Sequence, residues 1–523
     1  MPARNYGACE TCRTRVPATH AIRDGKVYLC KQCPDCGVSE SLISSDAARW
    51  QRKREIWQFD PDAPIACAMH CESCRREHHP RMVFLDVTNR CNMNCPICIA
   101  NIPGMGFEFH PPLEYFDRVL AGLAKMDPKP TVQLFGGEPT VREDLFEIID
   151  LCRKHELRVR IVTNGLRLAD EDYCRKLCET KIPVLLAFDG RDPAIYERLR
   201  KAPGAYEKKL KALENLRKFS RRKNILMCCV ARHINDQHMA DLIAFCHENR
   251  DIVSALHLIP LTENWEEGEF ETDVTTTIED VEQIITEAIH REGEAPAEPQ
   301  REGEAPAEPP IEFISAGLGT HLAKAVSFFG SPRLTFGGAH PNCESMTILF
   351  SDGQRFRPMS HYLKRPLDDV AAEVVRLGKK LAPTLAKLSP DRTFQRWRGR
   401  FAVVRTLLGP ALATFHLRRI LKGNRALALL RIFGGFLLGR KLKDQLRKHT
   451  TIQEVLHMLV LPFEEYHSIE SARLDICPSG FAYEDPDTGE IKTIPVCIWS
   501  LYRTEIQRKI AEKYAPQAAQ ISV

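Results

Sequence analysis

The feature that most constrains the fold is a series of apolar, β-forming segments that alternate with charged helical stretches. The segments cover residues 82–88, 131–135, 157–163, 182–188, 224–231 and 253–258. Stretches 141–154 and 206–219, which lie between them, have helical periodicity. Continuous apolar strands alternating with amphipathic helices are typical of a parallel sheet covered by helices. The sequence therefore predicts an α/β core with six strand-helix units.

Three cysteines follow the first of these segments at C-x3-C-x2-C spacing. They are Cys91, Cys95 and Cys98, in the stretch RCNMNCPIC. Three thiolates on one loop hold three irons of a [4Fe-4S] cluster and leave the fourth iron open to a substrate or cofactor. A closed zinc site would normally show a fourth Cys or His nearby, and none follows Cys98 closely. The spacing indicates a reactive cluster, and the alternative is a coincidence in a Cys-rich chain.

The second apolar segment runs directly into Gly136, Gly137, Glu138 and Pro139. A C-x3-C-x2-C loop after the first strand and a GGEP turn after the second resemble the radical S-adenosylmethionine (radical SAM) superfamily. The resemblance implies a partial (β/α)6 barrel in which the cysteine triad binds the [4Fe-4S] cluster and the GGEP turn contacts S-adenosylmethionine. Glycines allow such an approach because they carry no Cβ. The alternative for the two glycines is an ordinary strand-to-helix turn.

Polar residues stand at the ends of the later strands. Ligands of parallel barrels sit at the C-terminal ends of the strands. Thr163, Asn164, Asp189 and Arg232 occupy such positions and are predicted to contact the ribose and carboxylate of the cofactor. The alternative is a role as cap or turn residues, since Asn-Gly and Asp-Gly are common turn dipeptides.

The N-terminal 45 residues contain two C-x2-C pairs. Cys9 with Cys12 and Cys33 with Cys36 are predicted to form one tetrahedral S4 site for zinc or a rubredoxin-like iron. Cys30 falls outside the two pairs and is predicted not to be a ligand. A structural role is the expectation, and electron transfer is the alternative.

Cys67, Cys71 and Cys74 repeat the C-x3-C-x2-C spacing just before the core. A second iron-sulfur cluster is predicted there, with His78, His79, a distant cysteine or substrate on its fourth iron. The alternative is a second zinc site that uses the histidines.

An N-terminal knuckle ending in CPDCG, a cysteine group ahead of the barrel and the stretch DVTNRCNMNCPIC together resemble tetraether-lipid synthase-type radical SAM enzymes. Such enzymes join lipid tails by carbon-carbon bonds, so the resemblance implies a lipid substrate.

Three further cysteines lie in or beside two predicted hairpins, whose turns are at Asp352–Gly353 and 487–489. They are Cys343, Cys477 and Cys497. They are candidates for a further cluster, with burial as apolar side chains the alternative.

The segment 376–448 is strongly basic. It holds nineteen Lys and Arg against Asp391 and Asp444, a net charge of +17 in a chain whose total is +4. Its apolar runs are too short to span a bilayer. Basic amphipathic helices favour an anionic membrane surface. A solvated basic face and nucleic-acid binding are the alternatives, and nucleic acid is not expected.

These features predict five regions. They are residues 1–45, a cysteine-rich zinc-ribbon or rubredoxin-like knuckle; 46–80, the second cysteine cluster; 81–290, the radical SAM (β/α)6 core; 291–310, a disordered tandem-repeat linker; and 311–523, a C-terminal region with basic amphipathic helices and cysteine-bearing hairpins. The linker prediction rests on two imperfect copies of a decapeptide rich in Pro, Ala and Glu.

The resemblance to the radical SAM superfamily implies hydrogen abstraction by a 5′-deoxyadenosyl radical. An electron donor such as ferredoxin or flavodoxin is expected as a partner. Twenty cysteines without a signal-peptide pattern indicate a reducing, cytoplasmic setting, with a peripheral position on the inner face of the membrane if the substrate is a lipid. The alternatives are a radical SAM enzyme acting on a peptide or small metabolite and a non-catalytic iron-sulfur electron carrier.

Overall fold

The described residues form two sheets, a small one of four strands and a large one of twelve. The computed structural model describes residues 5–60, 62–71, 74, 79–263, 270–293, 310–329, 339–438, 440, 442–463, 465 and 467–514. The predicted tandem repeat lies outside these residues except at its ends, and the first three of its residues belong to a helix.

The small sheet is an antiparallel ribbon at the start of the chain. Its strands, in spatial order, are β1 (Tyr6–Ala8), β2 (Arg15–Arg23), β3 (Lys26–Cys33) and β4 (Gly37–Ser44). Asp24 and Gly25 connect β2 to β3 and both have positive φ, at 49° and 72°. Two such residues form the tight turn that matches the twist of a hairpin. Helix α1 (Ala47–Trp57) then leads towards the large sheet.

Six parallel strands form the centre of the large sheet in chain order, as predicted. They are β5 (Met82–Asp86), β6 (Thr131–Phe135), β7 (Arg158–Thr163), β8 (Val184–Ala187), β9 (Asn224–Val230) and β10 (Val253–Pro260). All five residues of β5 are buried. Burial on both faces explains why these strands read as continuous apolar runs.

Helices follow these strands and cover the sheet. They are α2 (Leu113–Leu123), α3 (Leu145–Lys154), α4 (Glu171–Glu179), α5 (Pro193–Arg200), α6 (Ala205–Phe219), α7 (Met239–Glu248) and α8 (Ile278–Gly293). In α2, Tyr115, Phe116, Val119 and Leu123 lie on one buried face, which is the spacing of an amphipathic helix. Together with the six strands, these helices form the predicted partial barrel.

Strands from the C-terminal region extend the sheet at both edges. At one edge β14 (Glu454–Val460) runs parallel to β10, and β12 (Ser345–Ser351) pairs antiparallel with β14. The short strands β11 (Ile314–Ser315) and β13 (Phe356–Arg357) pair with β12. At the other edge β15 (Ser479–Glu484) runs parallel to β5, and β16 (Ile491–Pro495) completes a hairpin with it. Both predicted C-terminal hairpins are therefore present, and they belong to the same sheet as the barrel strands.

The remaining helices lie in the C-terminal region. They are α9 (Gly319–Ser327), α10 (Leu367–Ala386), α11 (Thr393–Thr414), α12 (Leu417–Ile420), α13 (Arg425–Leu437), α14 (Leu442–His449), α15 (Ser471–Leu474) and α16 (Trp499–Lys513). Within the part of the chain that the structure describes, none of the helices is both long enough and apolar enough to cross a bilayer.

Side chains of helix α16 form hydrogen bonds with the last residue of the first barrel strand, Asp86. Trp499 Nε1 and Gln507 Nε2 donate to the Asp86 carboxylate at 3.1 and 2.6 Å, and Arg503 Nη2 donates to it at 3.2 Å. Arg503 also donates to the Ala100 carbonyl at 2.7 Å. The C-terminal helix therefore holds both the end of β5 and the loop that carries the cysteine triad.

A buried ionic network joins α1 to α8. Glu282 is fully buried and accepts from Arg49 Nε at 2.8 Å and from Lys53 Nζ at 3.1 Å. Burial by itself would raise the pKa of Glu282, but Lys53 and Arg49 lower that pKa to about 2. The network connects the helix that follows the ribbon to the helical layer of the barrel.

Candidate active site

The loop after β5 carries Cys91, Cys95 and Cys98, and all three are half-buried. The Cys98 N–H donates to the Cys95 carbonyl at 3.3 Å, and the Asn101 N–H donates to the Cys98 carbonyl at 2.8 Å, so the loop is built of tight turns. Burial raises the pKa of Cys91 to about 12 and also raises the pKa of Cys95. Thiols of this kind become thiolates when a metal takes the place of the proton. The donor set fits a [4Fe-4S] cluster.

The GGEP turn is joined directly to this loop. The Gly137 N–H donates to the Thr88 carbonyl at 2.7 Å, and the Glu138 N–H donates to the Arg90 carbonyl at 2.9 Å. A Cβ on Gly136, which has a φ of 131°, would lie 2.3 Å from the Thr88 carbonyl oxygen. A Cβ on Gly137 would lie 2.3 Å from the Arg90 carbonyl oxygen. The glycines are therefore needed for close contact between the turn and the cysteine loop.

Glu138 fixes the ends of β6 and β7 relative to each other. Its buried carboxylate accepts from Thr140 N at 3.0 Å, Thr163 Oγ1 at 2.7 Å and Asn164 N at 2.7 Å. Asn164 Nδ2 in turn donates to Asn92 Oδ1 in the cysteine loop at 2.7 Å. Pro139 is buried in the turn that follows. The structure thus brings Thr163 and Asn164 to the triad, while their contact with the cofactor stays a prediction.

Asp189 lies in a buried ion pair at the end of β8. Arg200 Nε and Nη2 donate to its two carboxylate oxygens at 2.9 Å each, and the Cys229 N–H donates to Oδ1 at 3.0 Å. Burial opposes the charge of Asp189, but Arg200 holds the pKa of its carboxyl below the ordinary value. Arg200 also opposes the burial that raises the pKa of Cys95. The guanidinium therefore connects Asp189 to the second cysteine of the triad.

Lys209 and Arg232 complete the polar layer above the strands. Burial lowers the pKa of Lys209 to about 8, and its ammonium donates to the carbonyls of Asn164 and Ala187 at 2.6 Å each. Arg232 follows β9 and donates to the Asp280 carboxylate of α8 at 3.3 Å. The predicted cofactor contacts of Asp189 and Arg232 stay predictions.

Sequence reasoning missed Arg200 and Lys209. Both lie on helices among other charged residues, in YERLRK and AYEKKLK, where a solvated position is the ordinary expectation. The Lys209 side chain is instead buried, and that of Arg200 is half-buried with its guanidinium on Asp189. Nothing local in either stretch distinguishes them from neighbouring exposed cations such as Lys208.

A cavity of about 160 Å³ extends from the triad loop into the barrel. Most of its wall is apolar, formed by Met82, Phe84, Ile97, Ile99, Phe135, Leu185, Ala187, Met227, Ile259, Pro260, Leu461 and Phe463. A second cavity, of about 30 Å³, shares Ile99, Phe135 and Phe463 with it and continues towards Cys497 and Trp499. An apolar space therefore lies between the cysteine loop and the C-terminal strands.

Polar side chains interrupt the wall, and three of them, Gln133, Arg160 and His257, lie at mid-barrel. Gln133 and Arg160 are paired in register on β6 and β7, and His257 lies on β10. Burial lowers the pKa of His257 to about 3 and that of Arg160 to about 10. Gln133 is 2% exposed, and its Oε1 has no hydrogen-bond donor among the described residues. This layer offers both a hydrogen-bond acceptor and a cation to a ligand.

The four predicted N-terminal ligands converge. Cys9, Cys12, Cys33 and Cys36 have sulfur atoms within 4.8 Å of one another. A tetrahedral zinc with bonds of about 2.3 Å separates its sulfur ligands by about 3.8 Å, and Cys12 Sγ lies 3.7 Å from Cys33 Sγ. A hydrogen bond from Thr14 lowers the pKa of Cys12 to about 6, which favours the thiolate. The residues fit a single S4-bound metal ion.

Cys30 is not among the four converging thiols. Its thiol lies beside Arg23 and Glu40, at 3.6 and 3.5 Å from their polar atoms.

The second cysteine group is anchored by the C-terminal region. The backbone N–H of Cys67 donates to the Asp475 carboxylate at 2.7 Å, and Tyr502 donates to the Met69 carbonyl at 3.2 Å. Outside the N-terminal four, the described ranges hold no three Cys, His or acidic ligand atoms within 4.8 Å of one another. His78 lies outside the described residues, whereas His79, Cys71 and Cys74 lie within them. The second cluster stays a prediction.

The three C-terminal cysteines are half-buried. Arg473 donates to Cys343 Sγ at 3.2 Å, and burial raises the pKa of Cys477 to about 12. The Cys343 thiol also acts on the pKa of Cys477, so these two are neighbours. A further cluster at Cys343, Cys477 and Cys497 stays a prediction.

Two family models match the chain. Residues 85–246 match the radical SAM superfamily, and residues 2–45 match an N-terminal zinc ribbon domain described as HMPTM. The first match contains the triad and the GGEP turn, and the second contains the four converging thiols.

Three similar proteins match half of this chain or less. A 7,8-dihydro-6-hydroxymethylpterin dimethyltransferase from Methanocaldococcus jannaschii is 32% identical over 273 residues, 50% of this chain and 54% of that protein. An AdoMet-dependent heme synthase from Methanosarcina barkeri is 33% identical over 144 residues, 27% of this chain and 40% of that protein. The solved structure of native anSMEcpe with bound AdoMet is 20% identical, covers 40% of this chain and 59% of its own, and superposes with a TM-score of 0.32. The chain spans about half the length, or less, of these two curated relatives.

Proposed function

We propose that this chain, whose residues 85–246 form a radical SAM domain, is an enzyme that abstracts hydrogen atoms from unactivated carbon. The observation that carries the proposal is the hydrogen-bonded contact between the GGEP turn and the cysteine loop. When bound, a [4Fe-4S] cluster would supply one electron that cleaves the sulfonium of S-adenosylmethionine into methionine and a 5′-deoxyadenosyl radical. The protein supplies the binding, orientation and exclusion of water that such chemistry needs.

Within this proposal each group around the triad has a part. Cys91, Cys95 and Cys98 hold the cluster, and Arg200 offsets negative charge beside Cys95. Gly136 and Gly137 allow the β6 turn to lie against the cysteine loop. Glu138 is a positioning residue, because its carboxylate is occupied by Thr140, Thr163 and Asn164. An ammonium group of the cofactor needs acceptors, so backbone carbonyls of the turn are the groups that would meet it.

The substrate in this proposal is a hydrocarbon chain. The cavity beside the triad is lined mainly by aliphatic and aromatic side chains, and a second apolar cavity continues from it towards β15 and β16. A lipid tail would match the apolar part of this space. The enzyme would then couple or modify lipid tails, as the resemblance to tetraether-lipid synthases implies.

We place the reaction in the cytoplasm, at the inner face of the membrane. A ferredoxin or flavodoxin would supply the electron. Twenty cysteines, many of them predicted metal ligands, favour a reducing compartment.

A pterin is the second candidate substrate. The polar layer of Gln133, Arg160 and His257 offers hydrogen-bonding groups that a polar heterocycle uses and a lipid tail does not. The 32% identity to a pterin dimethyltransferase over half of this chain supports the same candidate.

Anaerobic reconstitution tests the reaction. Iron and sulfide are counted, reductant and S-adenosylmethionine are added, and 5′-deoxyadenosine is measured. Formation of 5′-deoxyadenosine is expected. A loaded protein that forms none would favour an iron-sulfur electron carrier.

Lipid analysis and a pterin assay separate the two substrates. Lipids are extracted from cells with and without the active protein, and the reconstituted enzyme is incubated with a dihydropterin. New coupled or altered tails are expected. Unchanged lipids together with an altered pterin would replace the first candidate by the second.

A further inference from the structure

The basic segment carries exposed apolar side chains, which is unusual for a solvated charged face. Phe394, Trp397 and Phe401 on α11 are 74%, 44% and 64% exposed. Leu430 on α13 and Leu438 just after it are 70% and 72% exposed. Isolated apolar residues on a surface are ordinary, but grouped aromatic residues indicate an interaction site.

The three aromatic residues form one stripe along α11. Their spacing of three and four residues places them on one face of a helix. The opposite side of α11 is already packed, because Val403 is buried against a cluster that contains Phe328 and Leu381. A Cβ on Gly399 would lie 2.3 Å from Phe328, so the helix sits close to that cluster. The stripe therefore points away from the protein core.

Arginines accompany the stripe. Arg398 and Arg405 are exposed and lie on the same side of α11, and the Arg398 guanidinium lies 6.0 Å from the Phe394 ring centre. The whole 376–448 segment has a net charge of +17, so the rest of the chain is near −13. The positive charge is concentrated where the aromatic residues are exposed.

We infer that the α11 stripe of Phe394, Trp397 and Phe401 docks this protein on the surface of an anionic lipid bilayer. Aromatic side chains enter the boundary between headgroups and acyl chains, and nearby cations attract anionic lipids. Exposed Leu430 and Leu438 add further apolar surface within the same basic segment. Aliphatic side chains do not stack on nucleic-acid bases, so they favour a lipid surface. The inference deepens the proposed function, since it would bring the apolar cavity to a source of lipid tails. The contact itself needs neither cluster nor cofactor.

Vesicle sedimentation tests the docking. The full-length reconstituted protein is mixed with vesicles of equal parts phosphatidylglycerol and phosphatidylcholine, or with phosphatidylcholine alone. Binding to the anionic vesicles is expected, and added salt should weaken it. Equal binding to both vesicle types, or binding to neither, would overturn the inference.

Two variants locate the contact. F394S/W397S/F401S should lower the affinity for anionic vesicles by roughly tenfold or more. R398Q/R405Q should lower that affinity by roughly fivefold per residue. The matched control is I22S/V38S, which removes two exposed apolar side chains from the ribbon, 47% and 71% exposed, and should bind like the wild type. An α11 stripe variant that binds like this control would refute the assignment.

Two further measurements separate this inference from the proposed reaction and from nucleic-acid binding. C91A should bind vesicles like the wild type, so docking with no change in lipids would refute only the reaction. Competition with duplex DNA should not release the protein from anionic vesicles. Release by DNA together with equal loss of DNA binding in the stripe variant would assign α11 to nucleic acid.

Discussion

The ribbon and the barrel hold cysteines in opposite ways. In the ribbon, the turn between β1 and β2 and the turn between β3 and β4 bring four sulfur atoms within 4.8 Å, enough to enclose one ion. In the barrel, one loop after β5 carries three thiols, and the groups around them come from β6, β7, β8 and α5. A closed site depends only on its own hairpins. An open site depends on several neighbouring strand ends, which leave room for a reacting molecule.

The largest expected effect is the loss of turnover without loss of the ribbon metal. In C91A, 5′-deoxyadenosine formation should fall to background because the cluster loses one of its three thiolates. Metal analysis should still find one ion in the ribbon. Turnover above background in C91A would contradict the assignment of the reaction to the barrel site.

Removal of Arg200 should destabilise the barrel strongly. In R200M the fully buried Asp189 carboxylate loses its partner, so we expect the free energy of unfolding to fall by about 3–5 kcal/mol. Urea denaturation measures the change. R191M is the matched control, since Arg191 pairs with Asp241 and Glu248 at the surface, and it should cost less than about 1 kcal/mol.

Acid should loosen the connection between ribbon and barrel. The pKa of Glu282 is about 2 in the folded protein, below its ordinary 4.5, so its contribution to stability is complete above pH 4.5 and is lost as the pH falls towards 2. A difference of this size corresponds to about 3 kcal/mol. The stability gap between wild type and E282Q should therefore shrink over this range, and a constant gap would contradict the assignment.

A methyl group on Gly137 tests how closely the turn and the cysteine loop must approach. In G137A the new Cβ meets a backbone oxygen that cannot move aside alone, so we expect a loss of about 1–3 kcal/mol and lower iron content. G204A is the control, because a Cβ there meets nothing within 4 Å. Equal iron content in the two variants would show that the loop tolerates the change.

The smallest expected effect on turnover comes from the ribbon. C12S should lose the ribbon metal while 5′-deoxyadenosine formation stays near that of the wild type. C30S should keep both the metal and the turnover, since Cys30 lies outside the four-thiol group. Loss of turnover in C12S with an intact barrel cluster would indicate electron transfer through the ribbon.

Local patterns predicted the elements well and their distant partners poorly. The six strands β5 to β10 followed from the apolar segments, their barrel arrangement followed from the family resemblance, and the four ribbon thiols followed from spacing. The pairing of β15 with β5 and of β14 with β10 could not be read in this way, because it joins segments that are far apart in the chain. The contact of the GGEP turn with the cofactor stays a prediction, and the N–H groups of Gly137 and Glu138 already donate to Thr88 and Arg90.

The hydrogen bonds of Arg503 and Gln507 to Asp86, at the end of β5, have a consequence for biosynthesis. A ribosome that has just made Cys91 works for on the order of tens of seconds before it reaches Arg503. During that interval the nascent barrel lacks β15, one of the two neighbours of β5, and the helix that donates to the Ala100 carbonyl. The cysteine loop therefore gains its support from β15 and α16 only late in translation. Maturation factors that deliver iron and sulfide earlier would meet an unsupported loop.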